Sequence, residues 1–454
     1  MTRSIWAFAA TYLVCTSASP ARTHAPPEQR NNTHLVVLLL IDALRPDHVG
    51  AYGYDRPTTP HLDRLAAAGT RYLRAYTNAP WTRPSTATFL TGMNASRHRT
   101  ETSSSVLPPS IATIAQRLRK AGYATGGFTA NGNGGSLAGL QRGFDTFEDP
   151  TNTYTRAKRG KTYNGLPTGP FVVKRALRWL AQTQSAPKRF LFVFLVDPHD
   201  PYGAPPRLEK RFLAGFSGTI RRRALWEFDN TYSADERFSL QALYDAGIRH
   251  ADEALGAFVT GLDALGIRNT THLFISADHG EGFGEHGFYL HAHHFWDEVV
   301  RIPLVAVGPD FPRGTDARLT QALDVSATIL ELAGLDAPDL PGHSLLQQPL
   351  AQTHVVSEYN EFGIHRQAIT DDRYKVIWQR PANVAWYMRA VKKRAYFPSV
   401  SFTDEVIHVY DLQRDPGETT NLAANSPPRA QSLLRELRDF VATSAALAIP
   451  EHAK

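Results

Sequence analysis

The 454-residue chain contains one cysteine, Cys15, inside an N-terminal segment that reads as a removable leader. The mature chain is therefore expected to carry no thiol, which excludes disulfides and thiol catalysis and leaves covalent chemistry to a hydroxyl, carboxylate or amine. Concentrated charge is lacking too. Lys and Arg total 49 against 43 Asp and Glu, a net charge of +6, with no long basic run or aromatic-interleaved patch, and this sets nucleic acid aside as a partner. No apolar run approaches the ~20 residues that cross a bilayer, so the chain is not expected to be an integral membrane protein. Repeats and low-complexity stretches are absent. Hydrophobic residues at 42% and charged residues at 20% are ordinary globular usage, and the length suits one large domain with a smaller one appended.

The leader comprises Met1-Thr2-Arg3, an apolar stretch from Ile5 to Val14, and small residues ending in Ser19-Pro20-Ala21. That layout is a secretory signal peptide over residues 1–21, with cleavage expected after Ala21 and export to a periplasm or the medium. Val14 before Cys15 departs from the small residue a lipobox prefers, leaving lipid anchoring as a minor alternative.

The runs Leu35 to Ile41, Phe190 to Val196 and His272 to Ser276 suit strands buried on both faces of a parallel sheet. Each is followed at once or after one residue by an acid: Asp42, Asp197 and Asp278. Open α/β sheets gather ligand sites at the carboxyl ends of their strands, so the chemistry is expected on one shared rim. Helical patterns intervene, as from Thr59 to Gly69 with Pro60 near the start and a glycine at the end. The expected fold class is α/β, a large mixed, mostly parallel sheet sandwiched by helices over residues 34–349. Beyond it, candidate strands at 355–358, 374–378 and 406–410 and a helix near 430–447 mark a smaller C-terminal α+β lobe over residues 350–448.

Three segments carry chemistry. Trp81-Thr82-Arg83-Pro84-Ser85 opens a helix, where backbone N–H groups and the dipole favour an anion; taken alone, it fits equally a Thr82 or Ser85 that merely caps the helix. Asp278-His279-Gly280-Glu281, in a glycine-rich loop that continues to His291, His293 and His294, has the donors of a metal half-site. Asp197-Pro198-His199-Asp200-Pro201 presents His199 from a proline-stiffened loop, although prolines alone only mark a turn.

Together these segments resemble the sulfatase family of the alkaline-phosphatase-like superfamily. The similarity is carried by Asp42 with Leu44-Arg45-Pro46-Asp47, Tyr52-Gly53 and Thr59-Pro60-His61-Leu62-Asp63. It continues through Thr82-Arg83-Pro84-Ser85 to Leu90-Thr91-Gly92, then Asp278-His279-Gly280, Arg301-Ile302-Pro303-Leu304 and the block from Tyr410-Asp411-Leu412 to Asn421-Leu422. The resemblance implies a hydrolase of sulfate or phosphate esters, with Thr82 as nucleophile and Asp42, Thr82, Asp278 and His279 holding one divalent metal. His199 and His291 would bind the oxyanion or protonate the leaving group, with His293 and Asn131 in reserve. The substrate would be a small-molecule or glycan or lipid ester.

Departures from the family sharpen this. Classical members convert cysteine or serine at the nucleophile position to formylglycine; Thr82 cannot supply that aldehyde, so no formylglycine is expected. Thr86 replaces an arginine, and Gly122 to Asn131 lacks the Lys-and-His element that binds sulfate. In superfamily relatives a metal-bound threonine attacks phosphorus, which favours a phosphodiester or phosphonate ester. One imidazole, two carboxylates and an alkoxide suit zinc or manganese better than calcium, which takes many oxygens. A transferase to a sugar or lipid acceptor and a non-catalytic binding protein are the competing readings.

Overall fold

The computed structural model describes residues 35–151, 162–163, 166–222, 232–347, 352–361, 364–381 and 404–447. The expected signal peptide, residues 1–21, lies outside them. Eight strands form the large sheet: β1 (Leu35–Ile41), β2 (Thr70–Tyr76), β3 (Ala124–Thr129), β4 (Thr146–Glu148), β7 (Arg189–Leu195), β8 (Thr271–Ser276), β11 (Arg301–Val307) and β12 (Gly314–Gln321). Between them in the chain, β5 (Thr162–Tyr163) pairs with β6 (Leu166–Pro167), and β9 (Gly282–Phe283) with β10 (Tyr289–Leu290).

The spatial order is β12-β2-β11-β8-β1-β7-β3-β4. Strand β1 is parallel to both neighbours, β7 and β8, and only β11 runs against the others. Every residue of β1, β7 and β8 is buried, because helices cover both faces. The helices Gly169–Gln182 and Ala234–Ala264 pack together, as do Thr82–Thr91 and Ala322–Leu332. The mixed, mostly parallel α/β architecture expected from the sequence is the one found. Among the described residues no helix is long and apolar enough to cross a membrane.

The C-terminal lobe is an antiparallel sheet in chain order, β13 (Val355–Glu361), β14 (Ile364–Thr370), β15 (Tyr374–Gln379) and β16 (Val406–Asp411). One face packs Val356, Ile369, Val376 and Val409 against Ala430, Leu433 and Leu437 of the helix Pro428–Leu447. The opposite face, with Val355, Tyr359, Ile364 and Ile377, meets Tyr76, Trp81, Phe295 and Val299 of the large domain. This alternation is the period of two that a strand between two layers demands. Strand β14, Ile-His-Arg-Gln-Ala-Ile-Thr, escapes a search for apolar runs because polar residues fill its first half.

Lys375 on β15 points to the large domain, fully buried, and pairs with Asp297 at 2.6 Å and Glu418 at 2.8 Å. Removing one member of a buried ion group strands the rest, at a cost of about 3–5 kcal/mol. Lys375→Ala is therefore expected to lower the unfolding free energy by about that much, measured by chemical denaturation. A loss below about 1 kcal/mol would show that the pairing does not hold the lobe, since surface pairs contribute no more than this.

Candidate active site

Because β1 and β8 are adjacent and parallel, with Leu40 beside Ser276, the chain leaves both strands at one edge and delivers Asp42 and Asp278 side by side. Ala43 turns the backbone there with φ 57°, a left-handed conformation that costs a non-glycine residue about 1–2 kcal/mol. Three hydrogen bonds offset that strain. Ala43 N donates to Asp278 Oδ1 (3.2 Å), the Tyr244 hydroxyl donates to Ala43 O (2.6 Å), and Arg45 N donates to the same hydroxyl (3.0 Å).

His279 lies beside the two acids. Its Nδ1 is 2.8 Å from Gly280 O, which fixes the proton on Nδ1 and leaves Nε2 with its lone pair facing inward. Nε2 stands 3.2 Å from Asp278 Oδ2, 3.6 Å from Asp42 Oδ1 and 3.3 Å from Thr82 Oγ1. Asp42 Oδ1 and Asp278 Oδ2 are buried without a hydrogen-bond partner. One ligand atom from each of Asp42, Asp278 and His279 falls within 4.8 Å of the others. Two orphaned carboxylate oxygens and an imidazole lone pair converging in a dry site repel one another unless a cation joins them, so these residues fit a divalent metal.

Burial pushes both acids up to about 7; the neighbouring Asp278 raises Asp42 further, with His199 and His279 partly opposing, and backbone donors partly oppose burial at Asp278. Burial holds the His279 imidazole down to about 3, reinforced by His291.

Thr82 is the first residue of the helix Thr82–Thr91, and no side chain caps that helix at its N-cap. The sequence left capping open for Thr82 and Ser85; instead Thr82 Oγ1 faces His279, and Ser85 Oγ donates to Asp278 O at 2.6 Å, fastening the helix to the loop after β8.

His199 and His291 join the cluster, their rings 5.2 Å apart, with His291 4.1 Å from the His279 ring. Burial works against a charge on His199, but Asp42 and Glu281 outweigh it and raise its pKa. Burial and the nearby His199 push His291 well down. His291 Nδ1 lies 3.0 Å from Glu281 Oε1, and its flanking residues Leu290 and Ala292 have φ of 69° and 87°, a strained approach anchored by Ala292 N on Pro80 O at 2.9 Å.

Asn131 donates to Asp42 Oδ2 at 2.8 Å. His293 instead packs edge-on against Tyr359 and lines a cavity with Trp296 and Arg366. Asp197, the third strand-end acid, accepts from Gly169 N and pairs with His250 at 2.8 Å. A cavity of about 760 Å³ lies by Arg45, Tyr52, Arg71 and Arg301, and Asp42, Asp278 and His279 do not line it. Two participants carried too little sequence signal to be singled out. Glu281 sits in the glycine-rich loop, two residues after His279, and Tyr244 lies in the long helix Ala234–Ala264 with nothing local to mark it.

This fold and this cluster define a hydrolase of the alkaline-phosphatase-like superfamily. Residues 34–335 match the family model described as Sulfatase, and residues 284–445 match N-sulphoglucosamine sulphohydrolase, C-terminal. Similar proteins include the steryl-sulfatase of Mus musculus, 27% identical over 92% of this chain and 82% of that protein. The choline-sulfatase of Rhizobium meliloti (strain 1021) is 25% identical over 89% and 85%. Among solved structures, the phosphonate monoester hydrolase of Agrobacterium radiobacter superposes with a TM-score of 0.70 at 20% identity, covering 91% of this chain and 96% of that one. The chain belongs to the sulfatase family, and it is an ester hydrolase of the sulfuric and phosphoric class.

The raised acids generate a test. A carboxyl whose folded pKa stands above its unfolded value contributes stability that is fully present below pH 4 and is lost as pH rises through about 7. In metal-free protein, wild type is thus expected to lose stability relative to Asp278→Asn between pH 5 and pH 8, measured by thermal unfolding in chelator. Adding a divalent ion should reverse the loss in wild type alone, most at pH 8, because the ion replaces protons. A difference between the two proteins that does not change with pH would contradict this picture.

Proposed function

We propose that the chain is an exported, metal-dependent hydrolase that cleaves phosphodiester or phosphonate ester bonds, with sulfate esters as the second substrate class, using Thr82 as nucleophile. The observation that carries this reading is the Thr82 hydroxyl. It begins a helix without capping it and lies 3.3 Å from His279 Nε2, beside the orphaned oxygens of Asp42 and Asp278.

Asp42, Asp278, His279 and Thr82 would hold the ion, zinc or manganese. When bound, it lowers the pKa of the hydroxyl and offsets charge that develops on the transferring group. The helix N-terminus favours the anionic ester group in line with Thr82. Thr82 Oγ bonds to phosphorus or sulfur as the alcohol departs. His199, whose charge Asp42 and Glu281 sustain, supplies the proton that the leaving oxygen needs. With Nδ1–H given to Glu281, His291 presents Nε2 to take the Thr82 proton in the first step and to return it to Thr82 Oγ in the second, while His199, left neutral by the first step, takes the proton of the attacking water. Hydrolysis of the Thr82 ester then restores the enzyme. Threonine cannot become the aldehyde of classical members, so phosphorus chemistry stands ahead of sulfur; the relatives' names supply both, as steryl- and choline-sulfatase and phosphonate monoester hydrolase. Export follows from the leader at residues 1–21.

The test is turnover of nitrophenyl phosphodiester, phosphonate, phosphate monoester and sulfate by the secreted protein, whose first residue should be Arg22. Thr82→Ala is expected to lose at least about 1,000-fold in kcat on the preferred ester while keeping its metal. Retained turnover in that variant would remove Thr82 from the nucleophile role.

A further inference from the structure

Each buried acid of the site has one oxygen satisfied by N–H donors and one left over. On Asp278, Oδ1 accepts from Ala43 N at 3.2 Å and from His279 N at 3.0 Å, while Oδ2 has no hydrogen-bond partner. On Asp42, Oδ2 accepts from Asn131 Nδ2 at 2.8 Å, while Oδ1 has none. The difference lies in the donor. Asp278 is restrained by main chain, whereas Asp42 is restrained by a side chain that a single substitution can remove.

Asn131 is itself braced. Its Oδ1 accepts from Asn133 N at 2.9 Å, so its NH₂ end is the one turned to Asp42. Its own N–H and C=O both meet Thr129 Oγ1 at 3.0 Å. Asn133 Oδ1 accepts from Arg83 Nη2 at 2.8 Å, and Arg83 Nη1 donates to Ser105 O at 2.9 Å. A belt of polar contacts therefore runs from the residue after Thr82, through Asn133 and Asn131, to the outer oxygen of Asp42.

A carboxylate with one oxygen engaged offers the other singly; with both oxygens open it can grip an ion through both. Calcium collects six to eight oxygens, commonly with bidentate carboxylates, whereas zinc is content with four ligands including imidazole. We propose that Asn131 is a positioning residue that restricts Asp42 to one ligating oxygen and so selects against calcium, an inference that rests on the metal-centre reading above. Asn131→Ala releases Oδ2. Asn131→Asp, nearly identical in shape, replaces the donor with another oxygen.

The experiment uses the full mature protein, stripped with chelator and titrated separately with Zn²⁺, Mn²⁺ and Ca²⁺ by calorimetry, with the bound ion counted by mass spectrometry. Wild type should prefer zinc or manganese to calcium. Both Asn131 variants, folded by circular dichroism, should narrow that preference by about 10–100-fold, the range seen when residues that orient metal ligands are changed. Asn133→Ala, which cuts the link to Arg83 but keeps the backbone bond to Asn131, should shift it less in the same direction. An unchanged preference in folded Asn131 variants, or equal weakening of all three ions, would overturn the proposal while leaving the metal centre standing. Wild type that binds none of the three ions would overturn both.

Discussion

Two carboxylates, Asp42 and Asp278, are forced together in a dry environment by the parallel pairing of β1 with β8, and the rest of the site answers that repulsion. Among the described residues, neither acid is hydrogen-bonded or ion-paired to a lysine or arginine. Each has one oxygen fed by N–H groups and one turned to a shared point where His279 also aims a lone pair. At that separation inside protein, like charges are tolerable only with protons or a cation between them. Two acids crowded in this way beside an imidazole form a cluster that fits a divalent ion.

The supporting interactions act on backbone shape more than on charge. Tyr244 pins the left-handed turn at Ala43, Ser85 ties the Thr82 helix to the Asp278 carbonyl, and Glu281 holds His291 across a segment with two strained residues. The first two bonds join elements about 200 residues apart in the chain, so the clustered side chains are placed by the packed body of the domain. The C-terminal lobe takes part in this: its sheet closes over Trp81 and Phe295, which flank Thr82 and the His291 segment.

Much of the fold was legible because β1, β7 and β8 are covered on both faces, and only unbroken apolar sequence survives there. Strand β14 was not, since His365, Arg366 and Gln367 follow its first residue and erase such a signal. Within the site, Asp42, Asp278, His279 and His199 stood out as acids and imidazoles after apolar runs, the family resemblance singled out Thr82 and His291, and the structure brings all six together. Asp197 shows the limit of that reasoning. The same pattern of apolar strand then acid delivers a side chain that serves Gly169 and His250, because the direction of the turn after a strand is set by partners elsewhere. Tyr244 was invisible for the same reason: its hydroxyl matters through a contact 201 residues distant in sequence, and one tyrosine in a long helix looks like any other.

The central claim, that Thr82 forms the covalent bond, is tested most directly by quenching the enzyme in acid during steady turnover of a phosphodiester or phosphonate and mapping its peptides by mass spectrometry. The account predicts that the peptide containing Thr82 carries the phosphoryl or phosphonyl group, and that the adduct disappears once substrate is exhausted. Full turnover with Thr82 unmodified and the group never found on the chain would contradict it and point to direct attack by water.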